Sequence, residues 1–188
     1  MEEIRKRLTK SLSVTTRKDE GNTGVPAAAL ILIAALEAGP AMGLIRRSIA
    51  RDPHSGQVCF PGGKMEAGET PTRTALRETE EEIGVPRGLV EILGHMPPAT
   101  TRTTGFVVWP VVGMTPEEPS IRISPAEVAE FFWVPVGFLE TVRDIDPEAS
   151  LPGVMFKGKR IWGLTLRIMV RLARMLDAPP PADKTHFD

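Results

Sequence analysis

Three glutamates lie close together in this sequence, in a spacing that could hold a divalent cation. Glu78, Glu81 and Glu82 stand at positions i, i+3 and i+4, so on an α-helix they project within an arc of roughly 100°. Like charges repel, whereas a cation converts the repulsion into attraction, and Mg²⁺ prefers oxygen ligands shared with substrate phosphates. Such an ion neutralises phosphate charge and lowers the pKa of bound water, as hydrolysis of a phosphoanhydride requires. A solvated acidic helix face is the alternative.

The neighbouring residues extend this arrangement. Arg77 precedes Glu81 by four residues and can pair with it on a helix. Glu69, in the preceding loop, could reach the same cluster. The turn Gly62-Gly63 lets the main chain approach a metal or phosphate closely, so a backbone carbonyl could join the coordination shell.

Residues 62–85 read GGKMEAGETPTRTALRETEEEIGV and resemble the signature of the Nudix superfamily. In that signature a Gly is followed after five residues by Glu and after seven more by Arg-Glu, and then come one apolar position and one free position. It ends with Glu-Glu, one free position, Gly and an apolar residue. The positions that match are Gly63, Glu69, Arg77, Glu78, Glu81, Glu82, Gly84 and Val85. The one departure is Thr79 at an apolar position, and threonine can still pack through its methyl group.

The resemblance implies an α+β protein with the Nudix fold, which is an α/β/α sandwich with a mixed β-sheet and a loop–helix–loop catalytic element. It also implies dependence on Mg²⁺ or Mn²⁺. The implied metal ligands are Glu78, Glu81, Glu82 and the main-chain carbonyl of Gly63. The implied catalytic residues are Glu78, Glu81, Arg77, which would orient the glutamates, and Glu69, which would support the metal shell. The general base varies within the superfamily, and Glu78 and the loop residue Glu127 are both candidates.

Segments outside the signature are similar to the coenzyme A pyrophosphatase branch of the superfamily. They are residues 47–48, 54–63, 109–113, 124–128, 134–135 and 160–165, so the resemblance covers about residues 25–176. It implies hydrolysis of the pyrophosphate bond of coenzyme A or its derivatives, giving 3′,5′-ADP and 4′-phosphopantetheine.

Basic residues before the signature suit the phosphates of such a substrate. Arg46, Arg47 and Arg51 lie within six residues, and guanidinium groups match phosphate oxygens. Together with His54 they form the predicted substrate-binding set, with solvated surface charge as the alternative. The branch usually has an arginine where this chain has Asp52, and Arg51 stands one position earlier. This departure leaves open ADP-ribose, a dinucleotide or a noncanonical nucleoside triphosphate, or a non-catalytic nucleotide-binding module on the same fold.

A helix and a sheet must position these residues. Thr70 can cap a helix, Pro71 suits its first turn and Gly84 its left-handed C-terminal position, which predicts a helix between them. Its expected core stripe is Thr72, Leu76, Thr79 and Ile83. Strands are predicted at 27–35, 41–46, 57–60, 90–94, 105–113 and 130–134, with another near 154–162, and a final amphipathic helix at 165–176. Residues 47–56 are expected to form a loop, and Pro61-Gly62-Gly63 to stop the strand at 57–60.

The composition narrows the function classes further. The 188 residues suit one compact domain, and a net charge of −1 favours neither nucleic acid nor an anionic membrane. The longest apolar stretch, residues 25–36, is too short to span a bilayer, and no secretory signal is visible. The single cysteine, Cys59, excludes an intrachain disulfide and favours the cytoplasm.

We therefore expect a cytoplasmic monomer or homodimer whose partner is a small nucleotide-containing substrate, with no nucleic acid and no membrane. The expected domains are an N-terminal extension at 1–24, helical or flexible, a Nudix hydrolase domain at 25–176 and a flexible C-terminal tail at 177–188.

Overall fold

The computed structural model of the protein describes residues 1–13, 24–48, 56–101, 105–146, 149 and 152–177. Within these ranges the helices are α1 (Glu2–Ser11), α2 (Pro71–Ile83) and α3 (Gly163–Asp177), with 3₁₀ turns at Arg87–Leu89 and Val136–Thr141. The strands are β1 (Val25–Leu36), β2 (Gly39–Arg47), β3 (Val58–Cys59), β4 (Gly62–Lys64), β5 (Glu91–His95), β6 (Ala99–Thr100), β7 (Phe106–Thr115), β8 (Val128–Pro135), β9 (Gly153–Phe156) and β10 (Lys159–Trp162).

Strand β1 is the centre of a mixed eight-stranded sheet. The main strand order is β3-β2-β1-β7-β5, while β4 pairs with β1, β6 with β7 and β8 with β2. The β1–β7 pair is parallel, from Val25 opposite Phe106 to Ala34 opposite Thr115. The other pairs of this sheet are antiparallel. Strands β9 and β10 form a separate antiparallel hairpin.

The apolar run of β1 is buried on both faces of the sheet. Leu30 and Leu32 pack in a core on the side of α2, whereas Ile31 and Ile33 pack in a second core with α1 and α3. All four side chains are fully buried. A strand covered on both faces reads as continuously apolar rather than alternating, which explains the sequence of β1. The predicted α/β/α sandwich with a mixed sheet is confirmed.

Helix α2 has the ends that the sequence predicts. The hydroxyl of Thr70 accepts a hydrogen bond from the Arg73 N–H at 3.3 Å, and Gly84 takes the left-handed conformation with φ 70°. The expected core stripe is wrong in part, because Thr72 and Leu76 are only half-buried, although Thr79 and Ile83 are buried as expected. The helix also buries Pro71, Thr74, Ala75 and Glu82. The additional burial arises because α2 packs against β4 as well as against β1.

Strand β2 extends one residue further than predicted, through Arg47. Side chains alternate between the two faces of a strand, so Arg46 and Arg47 point to opposite sides of the sheet rather than into one loop. Arg46 shares the α3 side with Leu44, and Arg47 shares the α2 side with Ile45. The strand predicted at 57–60 is shorter, and the glycine pair that follows it forms β4.

The N-terminal helix α1 packs against the domain. Leu8 is fully buried, Arg7 donates to the main-chain oxygen of Leu176 at 2.7 Å, and Ser13 forms a backbone bridge to His95. None of the described helices is long and apolar enough to cross a membrane.

Candidate active site

The innermost carboxylate of the site belongs to Glu82, near the end of α2, and its side chain is fully buried. The N–H of Gly62 donates to its Oε2 at 2.8 Å, and Arg47 Nη2 donates to its Oε1 at 3.2 Å. The same Nη2 also donates to the carbonyl of Gly62 at 3.3 Å. Glu82 is therefore joined to both β4 and the end of β2.

Burial raises the pKa of the Glu82 carboxyl to about 7, while Arg47 and the Gly62 N–H act in the opposite direction. The neighbouring carboxylates of Glu78 and Glu127 raise this pKa further. Desolvation and like charge both disfavour an ionised carboxylate. The position of Glu82 therefore favours the presence of a cation.

The Glu78 carboxylate lies directly over Gly63 on β4. A Cβ at Gly63 would fall 2.5 Å from both carboxylate oxygens, so the side chain fills space that only glycine leaves open. Glu78 is 14% exposed. Burial raises its pKa and Arg77 lowers it, with smaller increases from Glu81 and Glu127.

Arg77 donates to three carboxylates of the cluster and to one main-chain carbonyl. Its Nε and Nη2 donate to the two oxygens of Glu69 at 2.9 and 3.0 Å, and Nη1 donates to Glu78 at 2.8 Å and Glu81 at 3.0 Å. Nη2 also donates to the carbonyl of Lys64 at 3.1 Å. The pairing raises the pKa of Arg77 well above its ordinary range. An arginine is needed here because lysine lacks the planar fork.

Glu69 is held as a charged partner of Arg77. The hydrogen bonds from Arg77, together with those from the Glu66 N–H and the Thr74 hydroxyl, lower the pKa of Glu69 to about 2. Glu81 is half exposed and lies at the outer edge of the cluster. Residues 63, 69, 77, 78, 81 and 82, which the sequence groups together, therefore lie together in the structure.

A loop before β8 closes the site from the side of Glu82. The Ser124 N–H donates to the main-chain oxygen of Glu82 at 2.9 Å. Ser48, directly after β2, donates its N–H to the carbonyl of Glu127 at 2.9 Å and its hydroxyl to that of Ala126 at 2.7 Å. These bonds place the exposed Glu127 close enough to influence the pKa of Glu78 and Glu82.

A family model described as the NUDIX domain matches residues 25–150, which is more than half of the chain. The chain belongs to the Nudix family. A protein named uncharacterized Nudix hydrolase NudL from Photorhabdus laumondii is 35% identical over 158 residues, covering 79% of this chain and 84% of the relative. A second relative with the same name, from Escherichia coli O6:H1, is 39% identical over 150 residues, covering 75% of this chain and 78% of the relative. The chain is thus a Nudix hydrolase.

A solved structure shows the same fold. The crystal structure of a Caenorhabditis elegans Ap4A hydrolase binary complex superposes with a TM-score of 0.56 at 20% sequence identity, and the match covers 80% of this chain and 93% of that one.

Nudix hydrolases generally use divalent metal ions, and the donor set of this site is suited to one. Glu78 and Glu82 are two desolvated carboxylates one helical turn apart, facing the backbone of β4. Hard divalent cations take oxygen ligands of this kind. Across the described part of the chain, no three acidic, histidine or cysteine side chains are already arranged around a common metal position. The carboxylates are paired with Arg47 and Arg77 instead.

Two residues of the predicted substrate-binding set, Arg46 and Arg47, are described by the structure, and they lie apart. Arg47 lies in the carboxylate cluster of this Nudix hydrolase. Arg46 lies on the opposite face of the sheet, where its Nε is 3.3 Å from Glu130, which also pairs with Lys159 at 2.9 Å. Arg51 and His54 lie outside the described residues.

Two features of the site are not evident from the spacing alone. The contact of Arg47 with Glu82 joins residues 35 positions apart, and the sequence carries no local signal for it. Ser48 is the second, and the only hint of its role is that segments 47–48 and 124–128 both resemble the same branch of the superfamily.

Proposed function

We propose that this Nudix hydrolase cleaves the pyrophosphate bond of coenzyme A or its derivatives with the help of Mg²⁺ or Mn²⁺, releasing 3′,5′-ADP and 4′-phosphopantetheine. The hydrolytic activity is supported by one observation, the position of two glutamates against the glycines of β4. Glu82 accepts a hydrogen bond from the Gly62 N–H, and Glu78 lies over Gly63 and is held by Arg77. The choice of coenzyme A is supported by the resemblance of residues 47–48 and 54–63 to the coenzyme A pyrophosphatase branch.

Each residue of the cluster has a part in this reaction. Glu78, Glu81 and Glu82, with the carbonyl of Gly63, would hold the cation, which when bound neutralises phosphate charge and lowers the pKa of a water ligand. Arg77 fixes the orientation of two of these glutamates, because it donates to Glu78 and Glu81 at once. Its bidentate bond to Glu69 keeps the guanidinium in place.

Hydrolysis consumes one water molecule. The water oxygen forms a bond to phosphorus, the bond from that phosphorus to the bridging oxygen breaks, and a carboxylate accepts the proton of the water. Glu78 and Glu127 are the two candidates for this base, since both lie at the cluster. We propose to separate them with Glu127→Gln, which should reduce kcat by about 100-fold or more if Glu127 is the base.

The substrate proposal is tested by identifying products over a panel. The panel contains coenzyme A, ADP-ribose, a dinucleotide and a noncanonical nucleoside triphosphate, each with Mg²⁺ or Mn²⁺ in ¹⁸O-labelled water. We expect mass spectrometry to show 3′,5′-ADP and 4′-phosphopantetheine, one of them labelled. Excess chelator should abolish the release, as should Glu78→Gln. A kcat/KM for ADP-ribose far above that for coenzyme A would refute the substrate, and no turnover on any pyrophosphate would refute the hydrolase mechanism itself.

A further inference from the structure

The buried Glu82 carboxylate already has a cation beside it. Arg47 Nη2 lies 3.2 Å from Oε1, and the Arg47 side chain is 24% exposed while that of Glu82 is fully buried. An ionised carboxylate that leaves water needs a counter-charge and hydrogen bonds. Here Arg47 supplies the charge, and the Gly62 N–H supplies a second hydrogen bond at 2.8 Å.

The two arginines of the cluster are anchored differently. Arg77 is 14% exposed and has a dedicated partner in Glu69, which it binds through two nitrogens. Arg47 is more exposed, at 24%, and its Nη2 donates to Glu82 at 3.2 Å and to the Gly62 carbonyl at 3.3 Å. Because Arg47 belongs to β2, a loss of its bond to Glu82 would leave intact the bonds from Arg77 to Glu78 and Glu81 of α2.

We infer that Arg47 and the divalent ion are alternative counter-ions of Glu82, so that the arginine neutralises the carboxylate in the metal-free protein and gives it up when the ion binds. The inference rests on the proposed function, which makes Glu82 a metal ligand. Two cations beside one carboxylate repel each other in a poorly solvated site.

The experiment compares thermal unfolding of the full chain with and without Mn²⁺ in wild type, Arg47→Met, Glu82→Gln and the double variant. Metal-free Arg47→Met should melt at least about 5 °C below wild type, because it leaves Glu82 buried without a counter-ion. Adding Glu82→Gln should recover most of that loss, since the unpaired charge is gone. Mn²⁺ should raise the melting temperature of Arg47→Met by at least about 3 °C more than that of wild type.

Arg87→Met is the matched control. It removes the same charge and breaks a 2.6 Å ion pair with Glu80 of α2, but both partners are about half exposed. We expect its response to Mn²⁺ to equal that of wild type, because surface pairs contribute little. A second readout is the NMR signal of the Arg47 guanidinium, assigned by its loss in Arg47→Met, which should shift and broaden as Mg²⁺ saturates the site.

The outcomes separate this inference from the proposed function. Equal responses to Mn²⁺ in wild type and Arg47→Met, with an unchanged Arg47 signal at saturating Mg²⁺, would overturn the inference while leaving the metal site intact. A wild type that neither ion stabilises, together with absent turnover, would overturn the proposed function instead.

Discussion

Replacing Gly63 by alanine should separate catalysis from stability. The new Cβ would lie 2.5 Å from both oxygens of Glu78, whereas ordinary contact begins at 3.4 Å, so the carboxylate must retreat by about 1 Å. The atoms that must move are the end of a flexible side chain, and no left-handed φ is required at Gly63. The fold should therefore accept the substitution.

A displacement of this size at a reacting group lowers turnover by about 100-fold, which corresponds to about 2.7 kcal/mol of transition-state stabilisation. We expect kcat/KM of Gly63→Ala to fall by this factor while the melting temperature stays within about 3 °C of wild type. The assay follows product release with the substrate found in the panel, beside thermal unfolding of the same samples.

Two other glycines provide the controls. Gly88→Ala meets nothing within 4 Å and should change neither quantity. Gly62→Ala would place its Cβ 2.6 Å from the Ala29 Cα, and backbone cannot yield cheaply, so it should lower the melting temperature. A Gly63→Ala enzyme that keeps kcat/KM within about threefold of wild type would refute the view that Glu78 reacts from its position over Gly63.

Three further predictions concern other parts of the molecule. Arg77→Lys should lower kcat/KM by at least about 10-fold, because an ammonium cannot reproduce five directed bonds, and an unchanged value would contradict its orienting role. Ile83→Ala should cost about 2–5 kcal/mol in urea unfolding and Leu76→Ala clearly less, since only Ile83 is fully buried. Burial lowers the pKa of His95 below its ordinary 6.5, so the unfolded chain binds the proton more readily. The contribution of His95 to stability should therefore fall as the pH drops from about 7 towards about 5.5. Thermal unfolding scans should show it as the difference between wild type and His95→Gln, because Glu82, whose raised pKa acts in the opposite direction, is present in both proteins.

The local features of the site were predictable from the sequence because their causes are local. A threonine cap, a proline in the first turn and a C-terminal glycine define α2, and helical pitch gathers Glu78, Glu81 and Glu82. The pairing of Arg77 with Glu81 follows from their spacing of four residues, and the structure has it at 3.0 Å.

The burial of the site could not be predicted in the same way. A helical wheel assigns Glu82 to a polar face, yet β4 and Arg47 cover it from elements 20 and 35 residues earlier in the chain. The division of Arg46 and Arg47 between two faces depends on where β2 ends, and strand ends are the least certain part of a sequence-based assignment. Because β2 includes Arg47, strand geometry directs the Arg47 side chain towards Glu82 and the Arg46 side chain towards Glu130 on the opposite face.

The parallel pairing of β1 with β7 also bears on how the protein folds. Val25 lies opposite Phe106, which is about eighty residues later in the sequence, and helix α2 lies between these two strands in the sequence. Strand pairings between such distant segments form slowly, because the entropy cost of closing the loop is met before the stabilising contacts form. The reactive carboxylates consequently acquire their final surroundings only when the centre of the sheet closes. Trp109, buried on β7 in the core beneath α2, is placed to report that step by its fluorescence.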